Sequence, residues 1–242
     1  MEGYVCVLST DDYLDGVLVL NQNLIDLNSK YPLLCLINEH ISIDTINILN
    51  KFNIKYKLIN SITYNSNKKM ERWNNSFDKL NVFNLTEYNK LIYLDSDLLI
   101  LNNIDNLFEI NRFTMVPDIP FNKEKFNSAL MIVIPDNNIY KALIELTDTM
   151  NESNTDYVGD QTIINEYYKD KNVITLDKEY NTMKSLHLDN DKYTSYEVTK
   201  DVDNPVIIHY INQPKPFMVD YTDKYSDIYK KYLEEVKNKK NA

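Results

Sequence analysis

The sequence predicts one α/β domain with a mostly parallel central sheet and helices on both faces. Its 242 residues, of which 43% are hydrophobic and 26% charged, are enough for a single large domain that buries its own core. Short β-branched apolar runs alternate with segments of helical period through the first half of the chain. This alternation is typical of βαβ units, whose right-handed crossovers place helices on both sides of a parallel sheet.

The first half of the chain predicts three strand–helix pairs followed by a fourth strand. Apolar side chains in the predicted helices recur at helical spacing, whereas the predicted strands are short apolar or alternating runs. The predicted strands cover residues 4–8, 33–37, 54–59 and 91–94, and the predicted helices cover residues 14–27, 43–52 and 76–88.

After residue 97 the regular alternation gives way to shorter segments. Further strands are predicted at residues 98–101, 113–116, 130–134, 173–176 and 206–209, and further helices at residues 104–108, 139–150 and 160–168. Apolar and tyrosine side chains recur at helical spacing over residues 221–236, which predicts an amphipathic C-terminal helix. The basic end of the chain, KNKKNA, is expected to be frayed.

Charge and glycine content exclude several classes of function. The chain has 26 basic and 36 acidic residues and a net charge of −10, which argues against a nucleic-acid partner. Its three glycines, Gly3, Gly16 and Gly159, cannot form the glycine-rich phosphate loops or a G-x-S-x-G nucleophile elbow. A bound phosphate would therefore have to be neutralised by a metal ion or by side chains.

The cysteines and the lengths of the apolar runs indicate the cellular compartment in which the protein is expected. Cys6 and Cys35 lie inside apolar segments, which favours two buried thiols in a reducing compartment over a zinc site or a disulfide scaffold. No apolar stretch approaches the ~20 residues that a transmembrane helix needs. The N-terminal segment lacks the basic and apolar regions of a signal peptide. These features predict a cytoplasmic protein.

The segment KLIYLDSDLLIL carries the strongest functional signal. Asp95 and Asp97 are two positions apart, so in an extended chain both carboxylates can face the same side. They repel each other unless a cation or a proton lies between them. Because ligands of open α/β sheets bind beyond the carboxyl ends of strands, the pair predicts a site for Mn²⁺ or Mg²⁺. The alternative is a pair that is incidental in an acidic chain.

Five segments follow one another in an informative order. They are VLSTDDYLDGVLVL, FDKLNVFNLTEYNKLIYLDSDLLILNNIDNLF, KFNSALMIVIP, VGDQTIIN and VIIHYINQPKPF. Together they resemble glycosyltransferase family 8, the glycogenin-like group of GT-A nucleotide-sugar enzymes. The resemblance implies a single GT-A domain over residues 1–221, with a Rossmann-like sheet and a smaller antiparallel part on the acceptor side. Its nucleotide-binding half would cover about 1–101 and its acceptor-side half about 102–221, followed by an amphipathic helix and basic tail over 222–242.

The resemblance also implies a donor site assembled from all five segments. Tyr13 would lie against the uracil ring, and Lys79 falls on the donor-binding lysine of the family. Asp95, Asp97 and His209 would hold the metal, and two carboxylates with one imidazole suit Mn²⁺. The implied nucleotide-sugar-binding residues are Leu8, Thr10, Tyr13, Arg72, Lys79, Asp95, Ser96, Asp97, Asn127, Ser128, Asp160, Gln161, His209, Asn212 and Lys215.

Three positions depart from the family's pattern. Ala129 stands where the family has glycine in its F-N-S-G segment. Asn212 and Phe217 stand where the family has glycine and tryptophan in H-x-x-G-x-x-K-P-W. A residue other than glycine fits at position 212 if its φ is negative, or if the asparagine adopts the left-handed region.

The reaction that the resemblance implies is retaining transfer of a hexose, with glucose the first candidate, from a UDP-sugar to a hydroxyl acceptor. The sugar gains oxocarbenium-like charge as UDP leaves, and the cation with Lys79 or Lys215 would stabilise the leaving group. Asp160 and Gln161 would position the sugar and stabilise its charge. Attack by a nucleophile and same-face attack both stay open, and Asp118 is a further candidate for contact with donor hydroxyls.

The acceptor and the oligomeric state are not specified by the sequence. Glycogenin glucosylates its own tyrosine, so Tyr193 and Tyr196 in the polar segment DNDKYTSYEV are candidate self-acceptors. Other members of the family modify glycans, proteins or small molecules. The apolar stripe of the C-terminal helix could pack on the core or form the face of a homodimer.

Three other classes of function fit parts of the sequence. A non-catalytic UDP-sugar-binding protein would keep the fold and the metal ligands, and the departures at Ala129 and Asn212 leave this alternative open. A metal-dependent phosphohydrolase would use Asp95 and Asp97 without a preference for uridine. A structural interaction domain would leave the two aspartates without a ligand.

Overall fold

Two sheets organise the described part of the computed structural model, which covers residues 1–62, 76–119, 121–152 and 159–241. The strands are β1 (Glu2–Leu8), β2 (Leu33–Ile37), β3 (Lys55–Leu58), β4 (Lys90–Leu94), β5 (Leu98–Ile100), β6 (Thr114–Asp118), β7 (Asn122–Val133), β8 (Ile174–Thr175), β9 (Thr182–Asp189), β10 (Lys192–Glu197), β11 (Ile207–Ile211) and β12 (Tyr221–Thr222). The α-helices are α1 (Leu14–Asp26), α2 (Ile43–Lys51), α3 (Asn137–Glu152), α4 (Asp160–Tyr168) and α5 (Ser226–Asn241).

The larger sheet is mostly parallel, which confirms the predicted α/β class. Within the described residues it has seven strands in the order β3-β2-β1-β4-β7-β6-β8. β3, β2, β1 and β4 run parallel in adjacent positions, as the strand–helix alternation predicts. β7 lies antiparallel between β4 and β6. The smaller sheet follows the order β12-β10-β9-β11-β5 and mixes parallel with antiparallel pairs.

Alternate residues of the central strands enter two apolar clusters, one on each face of the large sheet. From β1, Tyr4, Cys6 and Leu8 enter the cluster that also holds side chains of α1 and α5. Val5 enters the cluster that holds side chains of α3 and α4. Because successive residues of a strand face opposite sides, a strand covered on both faces is a continuous apolar run. Helices therefore cover both faces, as predicted.

The segment predicted as a helix over 76–88 is a 3₁₀ helix over Ser76–Asn84, so the predicted type and length were wrong. All residues from 77 to 83 are buried, and the segment has no solvent-facing stripe. The Asp78 carboxylate accepts hydrogen bonds from the Ile62 N–H and from Asn38 Nδ2, both at 2.9 Å. These bonds join the segment to the residues that follow β2 and β3. They favour the 3₁₀ conformation over the α-helix that the spacing of apolar residues predicts.

The hairpin of β9 and β10 is absent from the sequence prediction. Its strands, TMKSLHLD and KYTSYE, are rich in polar residues and lack a clear apolar alternation. β9 is buried over its first five residues because it pairs with β11 in parallel register. The pairing partner, which is distant in sequence, therefore decides that this polar segment forms a strand.

The C-terminal segment is helical to Asn241, so the expected fraying of the basic tail was wrong. Lys240 Nζ lies 2.8 Å from Asp15 Oδ1 of α1, and the Lys240 carbonyl oxygen accepts a hydrogen bond from Lys51 Nζ at 3.0 Å. The apolar stripe of α5 joins the cluster that contains α1. The apolar stripe therefore packs on the core of the chain, which is one of the two alternatives predicted for it; the other was the face of a homodimer.

The two cysteines lie opposite each other in the adjacent strands β1 and β2, in register as Cys6↔Cys35. Both are free and buried, as their apolar surroundings predict. The contact with Cys35 together with burial raises the pKa of the Cys6 thiol, which keeps it protonated and unreactive. None of the helices in the described part of the chain combines the length and apolar character that crossing a bilayer requires.

Gly16 allows α1 to lie directly against the turn between β4 and β5. A Cβ atom at this position would lie 2.6 Å from the carbonyl oxygen of Ser96 and 2.7 Å from the ring of Phe217. Because both distances are shorter than any ordinary contact, a side chain here must displace the backbone of the turn or the aromatic ring. Because Gly16 has no side chain, the turn that contains Asp95 and Asp97 can lie directly against α1.

We predict that Gly16→Ala destabilises the protein by about 1–2 kcal/mol, although alanine is the better helix former by about 1 kcal/mol. The physical reason is that the added methyl group overlaps the Ser96 carbonyl oxygen. Urea unfolding followed by circular dichroism measures the change. Ile25→Ala on the same helix is the control, because Ile25 is 55% exposed and its truncation leaves no cavity. A Gly16→Ala variant as stable as the wild type would contradict the close approach.

Candidate functional site

A cavity of about 580 Å³ opens where β1 and β4 end. Every residue that the resemblance assigns to the donor lines it, apart from Leu8 and Arg72. The Leu8 assignment was wrong for its side chain, which is fully buried in the core because this side of β1 faces α1. Val7 and Ser9 line the cavity instead. Arg72 lies outside the described residues.

Three predicted metal ligands meet in this cavity. Asp95, Asp97 and His209 each offer a ligand atom, and these atoms all lie within 4.8 Å of one another. The aspartates flank the turn between β4 and β5, whereas His209 belongs to β11. β11 pairs antiparallel with β5, with His209 opposite Leu98, and the Tyr210 N–H donates to the Asp97 carbonyl oxygen at 3.1 Å. This pairing brings a histidine that is distant in sequence beside the two carboxylates.

The surroundings of Asp97 fit a divalent cation. Asp97 Oδ1 is buried and has no hydrogen-bond partner among the residues that the structure describes. His209 Nε2 lies 3.6 Å from this oxygen, which is too long for a hydrogen bond. A buried carboxylate oxygen without a donor costs free energy. Two carboxylates and one imidazole form a ligand set that Mn²⁺ or Mg²⁺ accepts, so the residues present fit such an ion.

Burial and neighbouring charges shift the ionisation of the three ligands in different ways. Burial raises the pKa of Asp95. Asp97 is also buried, but the charge of Lys215 opposes that effect, and the pKa of Asp97 is held below its usual value. Burial lowers the pKa of His209, which favours the neutral imidazole that ligates metals. The group therefore includes one ionised carboxylate and one imidazole with a free lone pair.

Two lysines pair with these carboxylates. Lys215 Nζ lies 2.6 Å from Asp97 Oδ2. Lys79 Nζ lies 3.1 Å from Asp95 Oδ1 and 2.9 Å from Asp160 Oδ2. Burial alone would lower the pKa of Lys79, but Asp160 and Asp95 raise it. Lys79 therefore stays protonated between two carboxylates. Its positive charge is fixed beside Asp95, one of the three candidate metal ligands.

A second set of hydrogen bonds joins Asp118, Asn127, Ser128, Asp160 and Gln161, which we call the polar network. Asn127 Nδ2 donates to Asp118 Oδ1 at 3.1 Å, and Gln161 Nε2 donates to Asp118 Oδ2 at 3.2 Å. Ser128 Oγ donates to Asp160 Oδ2 at 2.8 Å. These residues come from the end of β6, from β7 and from the first turn of α4. Asp118, a secondary candidate in the sequence, holds two of the others in place.

Tyr93 is a site residue that the sequence analysis missed. Its hydroxyl donates to Asp95 Oδ1 at 2.5 Å, and Lys79 Nζ lies 4.9 Å from the centre of its ring. Tyr93 precedes Asp95 by two positions, so the alternation that places Asp95 and Asp97 on one side also places Tyr93 there. This two-residue period was the signal in the sequence that could have identified Tyr93. The tyrosine orients the Asp95 carboxylate.

The chain that follows β11 forms the wall around Tyr13. The rings of Tyr13 and Phe217 pack edge-on with centroids 5.5 Å apart, and the Tyr13 hydroxyl accepts a hydrogen bond from Gln213 Nε2 at 2.7 Å. Phe217 therefore supplies an aromatic contact at the position where the family has tryptophan. Thr10 and Ser96 line the same cavity.

The two positions where the family has glycine are accommodated differently. Asn212 has a φ of 62°, so the left-handed alternative is the one that occurs, and asparagine tolerates it better than most residues. Its Nδ2 donates to Ser185 Oγ at 3.3 Å. Ala129 is buried in the core cluster, and its N–H donates to Asn127 Oδ1 at 3.0 Å. Its methyl group therefore packs into the core.

Solved structures show that the chain has the fold of GT-A glycosyltransferases. Galactosyltransferase LgtC in complex with donor and acceptor sugar analogs matches with a TM-score of 0.70 and 16% identity, over 97% of this chain and 96% of that chain. Glycosyltransferase GlyE of Streptococcus pneumoniae TIGR4 matches with a TM-score of 0.67 and 18% identity, over 100% of this chain and 63% of that chain. At these identities the likeness shows the fold.

The chain belongs to glycosyl transferase family 8, whose family model matches residues 4–218. Glycogenin-1 of Caenorhabditis elegans is 25% identical over 89% of this chain and 51% of its own length. Glycogenin-2 of Homo sapiens is 28% identical over 91% of this chain and 44% of its own length. Inositol phosphorylceramide glucuronosyltransferase 1 of Arabidopsis thaliana is 28% identical over 69% of this chain and 30% of its own length. The chain thus spans about half or less of these three relatives.

We predict that Asn212→Gly is more stable than Asn212→Ala by about 1 kcal/mol, because alanine is strained in the left-handed region. Both variants lose the hydrogen bond to Ser185, so the difference between them isolates the backbone conformation. Chemical unfolding of the two variants in parallel measures it. Equal stabilities would show that residue 212 does not need a left-handed conformation.

Proposed function

We propose that this chain is a metal-dependent, retaining hexosyltransferase that moves glucose or a related hexose from a UDP-sugar to a hydroxyl acceptor. The observation that carries the proposal is that Asp95, Asp97 and His209 meet in one cavity, where Asp97 Oδ1 has no hydrogen-bond partner among the residues described. Membership of glycosyl transferase family 8 and the glycogenins among the relatives support a nucleotide-sugar donor. We infer further that the described chain works as one catalytic unit.

The leaving UDP is the most charged part of the proposed reaction, and the chain has two groups that can stabilise it. When bound, a divalent cation supplies Lewis-acid stabilisation of the diphosphate. Lys215 is buried, lines the cavity and lies beside Asp97, which supports a role as a point-charge donor to a phosphate oxygen. With three glycines in the whole chain, a backbone cradle is not available, so side-chain charge has to do this work.

The polar network supports the proposed roles of Asp160 and Gln161 on the sugar. Asp160 is held by Lys79 at 2.9 Å and by Ser128 at 2.8 Å. The ion pair and the hydrogen bond occupy lone pairs of this carboxylate, which weakens it as a nucleophile and leaves it suited to stabilise developing positive charge. Gln161 and Asn127 carry carboxamides fixed by Asp118, and such groups can hydrogen-bond sugar hydroxyls. These contacts favour positioning over covalent catalysis.

The charges of the polar network support a neutral hexose over a glucuronosyl group. The relatives include glucuronosyltransferases, whose donor carries an extra carboxylate. Within the described residues of the network, Asp118 and Asp160 are acidic, and Lys79 already pairs with Asp160 and Asp95. A further carboxylate placed here would be repelled by these two. We therefore place glucose ahead of glucuronate.

The acceptor is proposed to be a hydroxyl of a glycan or protein, and Tyr196 is the better of the two candidate self-acceptors. Tyr196 is 47% exposed, whereas Tyr193 packs against the core. Tyr196 pairs with Ser185 across the β9–β10 hairpin, and Ser185 lies two positions from Met183, which lines the cavity. Residues paired in this way share one face of a sheet. This supports Tyr196 on the cavity side of the hairpin.

We predict that UDP with Mn²⁺ raises the thermal stability of the wild type, and that Asp97→Ala abolishes this effect. A ligand at about 100 times its dissociation constant stabilises the folded state by about 2.7 kcal/mol. Asp97→Asn, which keeps an acceptor for Lys215, is a second variant for the case in which the alanine variant folds poorly. Asp148→Asn on the exposed side of α3 is the matched control and should respond as the wild type does.

The donor is tested in the same experiment with UDP-glucose, UDP-galactose, UDP-glucuronate and GDP-mannose, followed by an assay of released UDP. Release from a UDP-hexose that depends on Mn²⁺ supports the transferase. Binding without release identifies the non-catalytic binding protein. Hydrolysis of simple phosphate esters without a preference for uridine identifies the phosphohydrolase. A preference for GDP-mannose would overturn the assignment of Tyr13 to uracil.

We predict that incubation with UDP-glucose and Mn²⁺ adds hexosyl groups to the purified protein, and that Tyr196→Phe reduces this addition while Tyr193→Phe does not. The reason is that the Tyr196 hydroxyl is exposed and the Tyr193 ring packs against the core. Intact-mass and peptide mass spectrometry measure the addition. Unmodified protein that still transfers glucose to an added glucan and releases UDP would exclude self-glycosylation and leave the transferase in place.

A further inference from the structure

The imidazole of His209 has a buried partner that the proposed reaction does not use. His209 Nδ1 lies 2.9 Å from Oδ1 of Asn181, and Asn181 is 2% exposed. Asn181 ends the 3₁₀ helix Lys178–Asn181, directly before β9. β9 pairs with β11 in parallel, with Met183 opposite His209. The strand pairing therefore sets this amide beside the ring on the side away from Asp97.

The orientation of the Asn181 amide is determined by a second contact. Its Nδ2 donates to the Pro117 carbonyl oxygen at 3.1 Å. The opposite orientation would bring two oxygens together at Pro117, so Oδ1 faces the ring. Because an amide oxygen only accepts, His209 must donate from Nδ1. A neutral imidazole that donates from Nδ1 carries its free lone pair on Nε2.

The lone pair of Nε2 lies on the side of the ring that faces the aspartates. His209 Nε2 lies 3.6 Å from Asp97 Oδ1, the buried oxygen that has no partner in the described part of the chain. Two lone pairs that face each other across this distance repel, and a shared cation removes the repulsion. In the other tautomer the Nε2–H would point at Asp97 and oppose binding of a cation.

We propose that Asn181 is a positioning residue that holds His209 in the Nδ1–H tautomer and orients its ring, so that Nε2 is ready to ligate a divalent cation. The inference rests on the proposed metal site and adds a residue that acts on it through His209. Partners of this kind orient a metal-ligating histidine, and their loss weakens metal binding by about 10–100-fold.

The first experiment reads the tautomer directly in metal-free protein. Long-range ¹H–¹⁵N correlation spectra of histidine-labelled protein at alkaline pH distinguish Nδ1–H from Nε2–H, and His209→Gln identifies the signals among the three histidines. We expect Nδ1–H in the wild type and in Asn181→Asp, which keeps the acceptor for Nδ1 and loses only the donor to the Pro117 carbonyl oxygen. We expect Asn181→Leu to shift His209 to Nε2–H or to a mixture.

The second experiment measures the affinity for Mn²⁺ alone by titration calorimetry. Asn181→Leu should bind about 10–100-fold more weakly than the wild type, and Asn181→Asp should retain the affinity. Asn23→Leu is the matched control. The Asn23 amide is equally buried and bonds the N–H and carbonyl oxygen of Ile100 at 2.7 and 2.9 Å. Its loss should lower stability and leave both the tautomer and the affinity unchanged.

The outcomes separate this inference from the proposed function. Nε2–H in the wild type overturns the role of Asn181, as does an Asn181→Leu variant with unchanged tautomer and affinity. If Asn181→Leu does not fold, the spectra of the wild type and Asn181→Asp still decide the tautomer. Equal loss of affinity in the aspartate and leucine variants would show a merely structural role. Failure of the wild type to bind Mn²⁺ contradicts the metal site itself, while the metal-free spectra still report on Asn181.

Discussion

Antiparallel pairing of β11 with β5 brings His209 to the turn that carries Asp95 and Asp97, and the rest of the site depends on this contact. The same pairing lets the Tyr210 N–H bond the Asp97 carbonyl oxygen. The chain that leaves β11 then delivers Lys215 to the Asp97 carboxylate. One short strand and the chain that follows it therefore supply an imidazole and an ammonium group to a carboxylate pair that belongs to a different part of the chain.

Charge balance explains how an acidic protein with few glycines can be suited to a diphosphate. Asp95, Asp97 and Asp160 are balanced in part by Lys79 and Lys215. Buried ions are stable only when they are paired and hydrogen-bonded, and here one carboxylate oxygen has no partner within the described residues. The remaining negative charge is what a divalent cation would neutralise. The same carboxylates that disfavour an anion in the free protein would favour one under the proposed function, because the bound cation would attract it.

The parallel half of the fold could be predicted because its strands are buried on both faces. The runs around Cys6, Cys35 and Ile92 are continuously apolar, and length and period separate them from the helices between them. The polar strands β9 and β10 lack that signal: β9 is buried because it pairs with β11, and β10 is held by pairing with β9 and β12. The 3₁₀ segment around Asp78 was misassigned for a related reason: side-chain bonds to distant backbone groups decide its conformation.

By itself the sequence determined the class of fold, the D-x-D pair and the order of the motifs, because strand period and residue type are local properties. Tertiary structure decided which side chains meet. It turned the Leu8 side chain into the core, placed Tyr93 against Asp95 and Asn181 against His209, and set the left-handed conformation of Asn212. These outcomes depend on strand register and on contacts between residues far apart in the chain, which no local pattern encodes.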